Sequence, residues 1–263
     1  MAATKSSPTE RPRASERAAE IRRQHQRKEA RRRNLWVTLG VLAVLGITVA
    51  VSFLVQASRD TTGQVATPPA GAVATYGVPL GAVAAPVTVT IYEDFMCPVC
   101  GDLEAATRHW IPQYAAQGKV RVIYRPVAFL NRMSSGTEYS TRAANAYALV
   151  LDEAGPEAAA TFHDLLFDHQ PKENTSGLSN ARLVDLAVQA GAAESVVRAG
   201  TEHQIYKQWV VNGTDDASRD GGVTGTPTVA VDGNRLPTVR PFELDQLLHM
   251  AVDSALDGSA QGH

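Results

Sequence analysis

The sequence predicts an α/β domain with a mixed central sheet and an inserted block of helices, preceded by one transmembrane helix. Three observations support this prediction. Residues 35–55 contain no charge, residues 86–92 and 119–127 have strand patterns on either side of a helix pattern, and residues 134–218 have an almost wholly helical pattern. A strand, a helix and a second strand in succession favour a parallel pair with a right-handed crossover.

The apolar stretch at residues 35–55 is long enough to cross a membrane. It has 21 residues, and about 20 apolar residues span the roughly 30 Å hydrocarbon core of a bilayer. Residues 1–33 carry eleven Lys and Arg against four Glu. Because basic residues concentrate on the cytoplasmic flank, we expect residues 1–34 to form a disordered cytoplasmic segment. The remainder is expected outside the cytoplasm of a single-pass cell-membrane protein.

A cleaved signal peptide is the main alternative to an uncleaved anchor, because Val55, Gln56 and Ala57 offer small residues of the kind that signal peptidase accepts. Both the apolar stretch and the basic region before it are longer than a signal peptide usually has, which favours the anchor. The basic residues are interpreted as a topology signal, so no nucleic-acid partner is expected.

The rest of the chain is divided into a linker, a domain and a tail. Residues 56–86 mix small residues and proline with almost no charge, which predicts an extracytoplasmic linker. The domain is placed at residues 87–256, with a helical insertion at about residues 134–218 and a hairpin that turns at Asp232-Gly233. The predicted helices are residues 102–117, 138–151, 156–169, 180–190, 193–211 and 242–256, and the tail is residues 257–263.

The only two cysteines, Cys97 and Cys100, stand three residues apart at the predicted junction of a strand and a helix. This spacing allows the two sulfurs to form a disulfide. The N–H groups of the first helical turn favour a thiolate at Cys97, so its pKa is expected below the usual value of about 8.5. Cys97 is therefore predicted to be the nucleophile, and Cys100, one turn deeper, the thiol that resolves a mixed disulfide.

The cysteine pair has two alternative functions, a zinc site and a passive disulfide. A structural zinc site normally has four ligands, and the chain has no second cysteine pair, so no metal and no cofactor are expected. A passive disulfide is the other alternative. The histidines on helical stretches are expected to be surface or satisfied residues without a role: His109, His163, His169, His203 and His249.

A second motif, Val223-Thr224-Gly225-Thr226-Pro227, leads into the predicted hairpin. With Asp94-Phe95-Met96-Cys97-Pro98-Val99-Cys100 and the earlier Gly77-Val78-Pro79-Leu80-Gly81, it resembles the DsbA-like branch of the thioredoxin superfamily in a membrane-anchored bacterial form, over about residues 75–256. The resemblance implies a thioredoxin fold with an inserted helical subdomain, an exposed Cys97 and a buried Cys100. It also implies a cis-proline at Pro227 against the pair, with Thr226 tuning the redox behaviour and the loop binding an extended substrate peptide.

The sequence departs from that family at two places. Family members often have an acidic residue six positions before the nucleophile, where this chain has Ile91. Either Glu93 or Asp94 substitutes for it, or both are solvated charges at the strand end. Strongly oxidising members have His between the cysteines, whereas this chain has Pro98 and Val99. Asp94, Pro98 and Val99 are candidate assisting residues, and Phe95, Met96 and Val99 are candidates for an apolar collar around the thiol.

The expected function is the oxidation of cysteines in exported proteins through a mixed disulfide at Cys97. A membrane redox partner would then recycle the pair, and the protein is expected to act as a monomer. Two alternatives stay open at this point: an extracytoplasmic disulfide reductase or isomerase, and a non-catalytic tethered binding module with the same fold.

Overall fold

The computed structural model of the chain describes residues 14–59 and 64–261. Residues 1–13, 60–63 and 262–263, which belong to the predicted cytoplasmic segment, linker and tail, lie outside the described residues. The chain divides into two compact units, Met1–Asp60 and Thr61–His263. Each unit is described by itself.

In the first unit, the described residues form helix α1, Ala14–Arg59. Its segment Asn34–Leu54 is long and apolar enough to cross a membrane, judged by length and composition, and agrees within one residue at each end with the predicted span. The expectation of disorder does not hold for residues 14–34, which are helical. This part of the sequence is rich in Ala, Glu, Arg and Gln, which have high intrinsic helix propensity.

The second unit combines a mixed β-sheet with helices that stand between and after its strands along the chain. Its order differs from a simple βαβ repeat because most of the helices follow one another without a strand between them. The elements are β1 Val78–Leu80, β2 Val87–Glu93, α2 Pro98–Thr107, α3 Ile111–Ala116, β3 Val120–Pro126, α4 Tyr139–Asp168, α5 Asn180–Gln189, α6 Glu194–His203, α7 Lys207–Arg219, β4 Thr228–Val231, β5 Asn234–Arg235 and α8 Pro241–Gln261.

The sheet has the strand order β1-β3-β2-β4-β5. Strands β2 and β3 are parallel, and the other neighbouring pairs are antiparallel, so the predicted parallel unit and closing hairpin are confirmed. Alternate residues of β2, from Val87 to Glu93, are buried on one face, as the two-residue period of a strand requires. Because β2 is the central strand, its carboxyl end places the start of α2 at the middle of the sheet edge.

The expectation of a featureless linker does not hold for residues 64–86. Strand β1 pairs with β3, and the Trp209 indole N–H donates to the carbonyl of Thr75 at 2.8 Å. The side-chain amide of Asn212 donates to the carbonyl of Gln64 at 2.7 Å. This segment therefore covers an edge of the sheet and part of α7. Small apolar residues gave no periodic signal, which explains why the sequence did not predict its packing.

Several helix boundaries also differ from those predicted. The predicted helix 193–211 is divided into α6 and α7 at Gln204, whose φ is 48°. The predicted helices 138–151 and 156–169 form a single element, α4, that kinks at Gly155. The region 102–117 is two helices, with Pro112 in the first turn of the second. Helix α8 continues to Gln261, so most of the predicted tail is helical.

We expect Trp209→Phe to lower the free energy of unfolding by about 1–3 kcal/mol, because the carbonyl of Thr75 loses its donor and a buried ring becomes smaller. Chemical denaturation of the full chain in detergent measures this change. Phe242 is 68% exposed, and Phe242→Leu is the matched control, for which a change within about 0.5 kcal/mol is expected. Equal effects of the two substitutions would contradict the packing of residues 64–86 against α7.

Candidate active site

Asp94 holds the turn between β2 and α2. One carboxylate oxygen accepts the N–H of Met96 at 2.9 Å, and the other accepts the N–H of Leu130 at 2.9 Å. The residue is fully buried, so the interpretation of Asp94 as a solvated charge is wrong. Burial raises the pKa of Asp94 to about 6. Its location shows that it shapes the segment before the first cysteine, since it ties that segment to the loop after β3.

Cys97 is the N-cap of α2, and Pro98 occupies the first turn, where a missing N–H is tolerated. The Cys97 Sγ lies 3.4 Å from the carbonyl oxygen of Thr226, and the peptide bond between Thr226 and Pro227 is cis, as the resemblance implied. A hydrogen bond with the Cys100 thiol lowers the pKa of Cys97 to about 6, against the opposing effect of burial. The low pKa of Cys97 agrees with the expectation, but its main cause is different. The hydrogen bond with the Cys100 thiol lowers the pKa more than the backbone N–H groups of the helix do.

Cys97 is only 6% exposed, so the implied exposure of this residue is wrong. The neighbouring residues Phe95 and Met96 are buried in the core, and the carbonyl of Thr226 contacts the Cys97 sulfur. Phe95 packs against Tyr147 and Phe167, with ring centroids 5.5 and 5.3 Å away. Access to the Cys97 sulfur is therefore restricted.

The cysteine is reached through a groove, called the thiol groove below, with a volume of about 590 Å³. Its walls come from the loop after β3, from the segment after α4 and from the loop before β4. The expected apolar collar does not form, because Phe95 and Met96 are core residues and only Val99, which is 39% exposed, lies at the surface. The lining residues are Cys97, Phe129, Leu130, Arg132, Glu173, Ser218, Val223, Thr224, Gly225 and Thr226.

Cys100 is buried, as implied, with 3% exposure. Burial raises the pKa of this thiol well above its ordinary value. Both cysteines are free thiols in this structure. At neutral pH the pair therefore combines a thiolate at Cys97 with a protonated thiol at Cys100, which is the asymmetry that thiol–disulfide exchange requires of a nucleophile and a resolving group.

A buried ion pair lies behind Cys100. Glu93, 3% exposed, accepts a hydrogen bond from His163, 1% exposed, at 2.7 Å. Burial lowers the pKa of His163, but the charges of Glu93 and Glu104 outweigh burial and raise it to about 10. Glu93, Glu104 and Cys100 line one small cavity of about 10 Å³. The solvated interpretation of Glu93 is therefore wrong, and the carboxylate of this pair lines a cavity together with the resolving thiol.

His163 was expected to have no role, although its sequence position already indicated burial. The residues of α4 that are buried around it are Ala159, Phe162, Leu166 and Phe167, so His163 belongs to an apolar stripe with helical spacing. A histidine in such a stripe needs a polar partner. The sequence could not show that this partner is Glu93, which is 70 residues away.

The same region contains a cluster with the spacing of metal ligands. Atoms of Glu104, His163 and Asp164 lie within 4.8 Å of one another. Arg108 faces the cluster with its Nε 3.5 Å from Glu104, and the protonated His163 supplies a second positive charge. We assign the cluster to an ion network and not to a metal site, because His163 already binds Glu93 and Arg108 already bridges Glu104 and Asp168.

The family of the chain follows from comparison with known proteins. The family model described as thioredoxin matches residues 74–249. DsbG, a disulfide bond oxidoreductase of Mycobacterium tuberculosis solved in its reduced form, is 30% identical, and the match covers 70% of this chain and 94% of that chain with a TM-score of 0.57. DsbA of the same organism in its oxidised form is 30% identical, with 70% and 99% covered and a TM-score of 0.56. The chain belongs to the DsbA-like thiol–disulfide oxidoreductases of the thioredoxin family.

This DsbA-like oxidoreductase also matches part of a larger curated protein. The serine/threonine-protein kinase PknE of M. tuberculosis is 31% identical over 159 residues, which are 58% of this chain and 28% of the kinase. Because the chain spans only about a quarter of that relative, the kinase activity is not carried over. The predicted fold class and the predicted enzyme class are both confirmed.

The rate of alkylation by iodoacetamide is expected to rise with pH and to reach half of its maximum at about pH 6, because only the thiolate reacts and the pKa of Cys97 is about 6. Below that pH the thiolate is protonated and the rate falls. Mass spectrometry identifies the labelled cysteine as Cys97. The control is the same protein unfolded in guanidinium chloride, for which the midpoint should move to about 8.5. A midpoint above 8 in the folded protein would contradict the assignment of Cys97 as a stabilised thiolate.

Proposed function

We propose that this oxidoreductase oxidises cysteine pairs of exported proteins to disulfides, through a mixed disulfide at Cys97. The observation that supports this direction is the low pKa of Cys97, about 6. A stabilised thiolate stabilises the reduced enzyme, and an enzyme whose reduced form is stable is a strong oxidant. In strongly oxidising members a histidine between the cysteines stabilises the thiolate. In this chain the hydrogen bond from Cys100 would have that role.

The reaction begins with the Cys97–Cys100 disulfide and a substrate thiolate. The thiolate attacks the sulfur of Cys97, a mixed disulfide forms, and the sulfur of Cys100 leaves with the bonding electron pair. Because the pKa of Cys100 is raised well above its ordinary value, this sulfur takes up a proton. A second substrate thiolate then attacks the substrate sulfur of the mixed disulfide and Cys97 leaves as a thiolate. The substrate has lost two electrons, and the enzyme holds them as a dithiol.

Glu93 is proposed to pass this proton to Cys100: the protonated His163 gives its Nε2 proton to the carboxylate, and the carboxylate gives a proton to the Cys100 thiolate. Reoxidation of the pair returns the proton by the same route. Residues 91 and 93 lie on the same buried face of β2, so Glu93 occupies the face on which family members carry their acidic residue, two positions further along. Glu93 and Cys100 line a common cavity of about 10 Å³, which is close to the smallest volume that holds one water molecule. His163 orients the carboxylate through the bond of 2.7 Å and is a positioning residue.

The substrate is proposed to lie in the thiol groove as an extended peptide. Thr224, Gly225 and Thr226 line the groove beside Cys97, and an exposed loop backbone pairs with an extended chain as an added strand does. Apolar side chains of the substrate would contact Phe129 and Val223. In this arrangement Thr226 would contact the substrate, and its carbonyl oxygen also lies 3.4 Å from the Cys97 sulfur.

The placement of the catalytic domain outside the cytoplasm is part of the same proposal. The basic residues stand before the apolar segment Asn34–Leu54, and basic flanks stay in the cytoplasm. Substrates would then be newly exported chains with reduced cysteines, and a membrane redox partner would remove the two electrons from the reduced pair. We propose a monomer as the working form.

The equilibrium constant of the cysteine pair with glutathione tests the proposed direction. We expect the constant for the full chain in detergent to correspond to a potential well above that of thioredoxin, about −270 mV, and a reduced unfolded protein to gain disulfides when mixed with the oxidised enzyme. Cys97→Ser should abolish both the mixed disulfide and the refolding activity. A potential at or below that of thioredoxin would favour the reductase alternative, and refolding activity that survives Cys97→Ser would favour a binding module.

Glu93→Gln is expected to slow the reaction of the oxidised enzyme with a substrate peptide roughly hundredfold at neutral pH, since a positioned acid or base contributes about that much or more. Stopped-flow fluorescence over a range of pH measures the step. The double variant Ile91→Glu/Glu93→Gln restores a carboxylate on the same face and should recover most of the rate. Rates for Glu93→Gln within twofold of the parent protein would exclude the proton-transfer role. Asp185→Asn, at an exposed position of α5, is the control.

A further inference from the structure

Gln170 lies immediately beyond α4, and its side chain extends to the active-site turn. Its backbone N–H donates to the carbonyl of Phe167 at 3.1 Å, which fixes where the side chain starts. The side-chain Nε2 donates to the carbonyl of Cys97 at 2.9 Å and to the carbonyl of Phe95 at 3.3 Å. A single amide therefore holds two backbone carbonyls on either side of Met96.

The carbonyl of Cys97 has other donors as well. It accepts the N–H of Cys100 at 3.0 Å and the N–H of Gly101 at 3.2 Å, which are the first hydrogen bonds of α2. The Gln170 amide adds a third donor from outside the helix. Since the Cys97 carbonyl is part of the peptide that joins Cys97 to Pro98, the amide fixes the orientation of the peptide plane beside the reactive sulfur.

The position of Gln170 depends on a glycine. A Cβ built on Gly101 would lie 2.5 Å from the Oε1 of Gln170, closer than nonbonded atoms approach. The φ of Gly101 is helical, so the backbone does not require glycine at this place, and alanine has a higher helix propensity by about 1 kcal/mol. The atom that a methyl group would displace is the end of a flexible side chain. The absence of a side chain at Gly101 thus leaves room for the Gln170 amide.

We infer that Gln170 is a positioning residue for the nucleophile, which uses the space left by Gly101 to fix the Cys97 peptide and thereby sets the redox equilibrium of the cysteine pair from the inserted helical unit. The donors that stabilise the thiolate, Cys100 and the N–H groups of the first turn, are aligned only while this peptide keeps its orientation. Loss of the amide contact therefore makes the thiolate less stable and the enzyme a weaker oxidant.

A double-mutant cycle tests the inference. Gln170→Met keeps the length of the side chain but removes the donor, and Gly101→Ala displaces the donor while it favours the helix. We expect each variant of the full chain to lower the equilibrium constant for oxidation of glutathione by about threefold to tenfold. Each should also raise the alkylation midpoint of Cys97. Because both substitutions break the same contact, the double variant should show no larger change than either single variant.

Matched controls separate this role from general effects on folding. Gln189→Met removes an exposed glutamine from α5, and Gly258→Ala fills a helical position with no atom within 4 Å of the added Cβ. Neither should change the equilibrium constant, and unfolding midpoints identify any variant that is merely less stable. Unchanged constants for Gln170→Met and Gly101→Ala, or effects that add in the double variant, would overturn the inference.

The inference rests on the proposed role of Cys97, and the two can fail separately. If Cys97→Ser still forms a mixed disulfide, the proposed function fails. If Cys97→Ser is inactive while Gln170→Met leaves the glutathione equilibrium and the alkylation midpoint unchanged, only the positioning role of Gln170 fails.

Discussion

The contact between the Cys97 sulfur and the carbonyl of Thr226 joins two segments that are 129 residues apart. One segment ends the central strand β2, and the other enters its antiparallel neighbour β4. The register of the sheet therefore determines whether the nucleophile and the proposed substrate-binding loop meet. A shift of one residue between these strands would turn every side chain to the opposite face, so the apolar residues that fix the register, such as Val89 and Val231, also fix the active site.

The second constraint is charge inside the core. Removing a carboxylate from water is costly unless it gains a partner, and this protein buries Asp94, Glu93 and Glu104. Asp94 obtains two backbone donors, while Glu93 obtains the protonated His163. The first arrangement shapes the turn before Cys97. The second places Glu93 on the cavity that Cys100 shares, and the cost of burying the pair is consistent with a functional use and not with a gain in stability.

The sequence predicted those features for which reactive residues and the periodicity of a strand or helix occur within a short segment. The alternating pattern of β2 and β3, the spacing of Cys97 and Cys100, and the motif around Pro227 led to the fold and to the two halves of the site. Contacts between distant segments were not accessible in this way. The pairs Glu93 with His163 and Cys97 with Gln170 join residues that are 70 and 73 positions apart, and no local pattern specifies such partners. Residues 64–86 were missed for a related reason, since their packing depends on the edge of a sheet that forms elsewhere.

The inserted helices have a direct part in the site. Helix α4 supplies His163 to Glu93 behind the resolving thiol, and Gln170, just beyond the helix, supplies the amide that holds Cys97. The same region brings Glu173 to the rim of the thiol groove. A thioredoxin sheet alone would have the two cysteines and the proline loop but none of these three contacts. Because His163 comes from α4 and Gln170 from the segment just beyond it, changes in how α4 packs on the sheet would alter the contacts with Glu93 and with the Cys97 carbonyl together. In this chain the helical insertion is therefore the part of the fold through which the reactivity of a common active-site motif is adjusted.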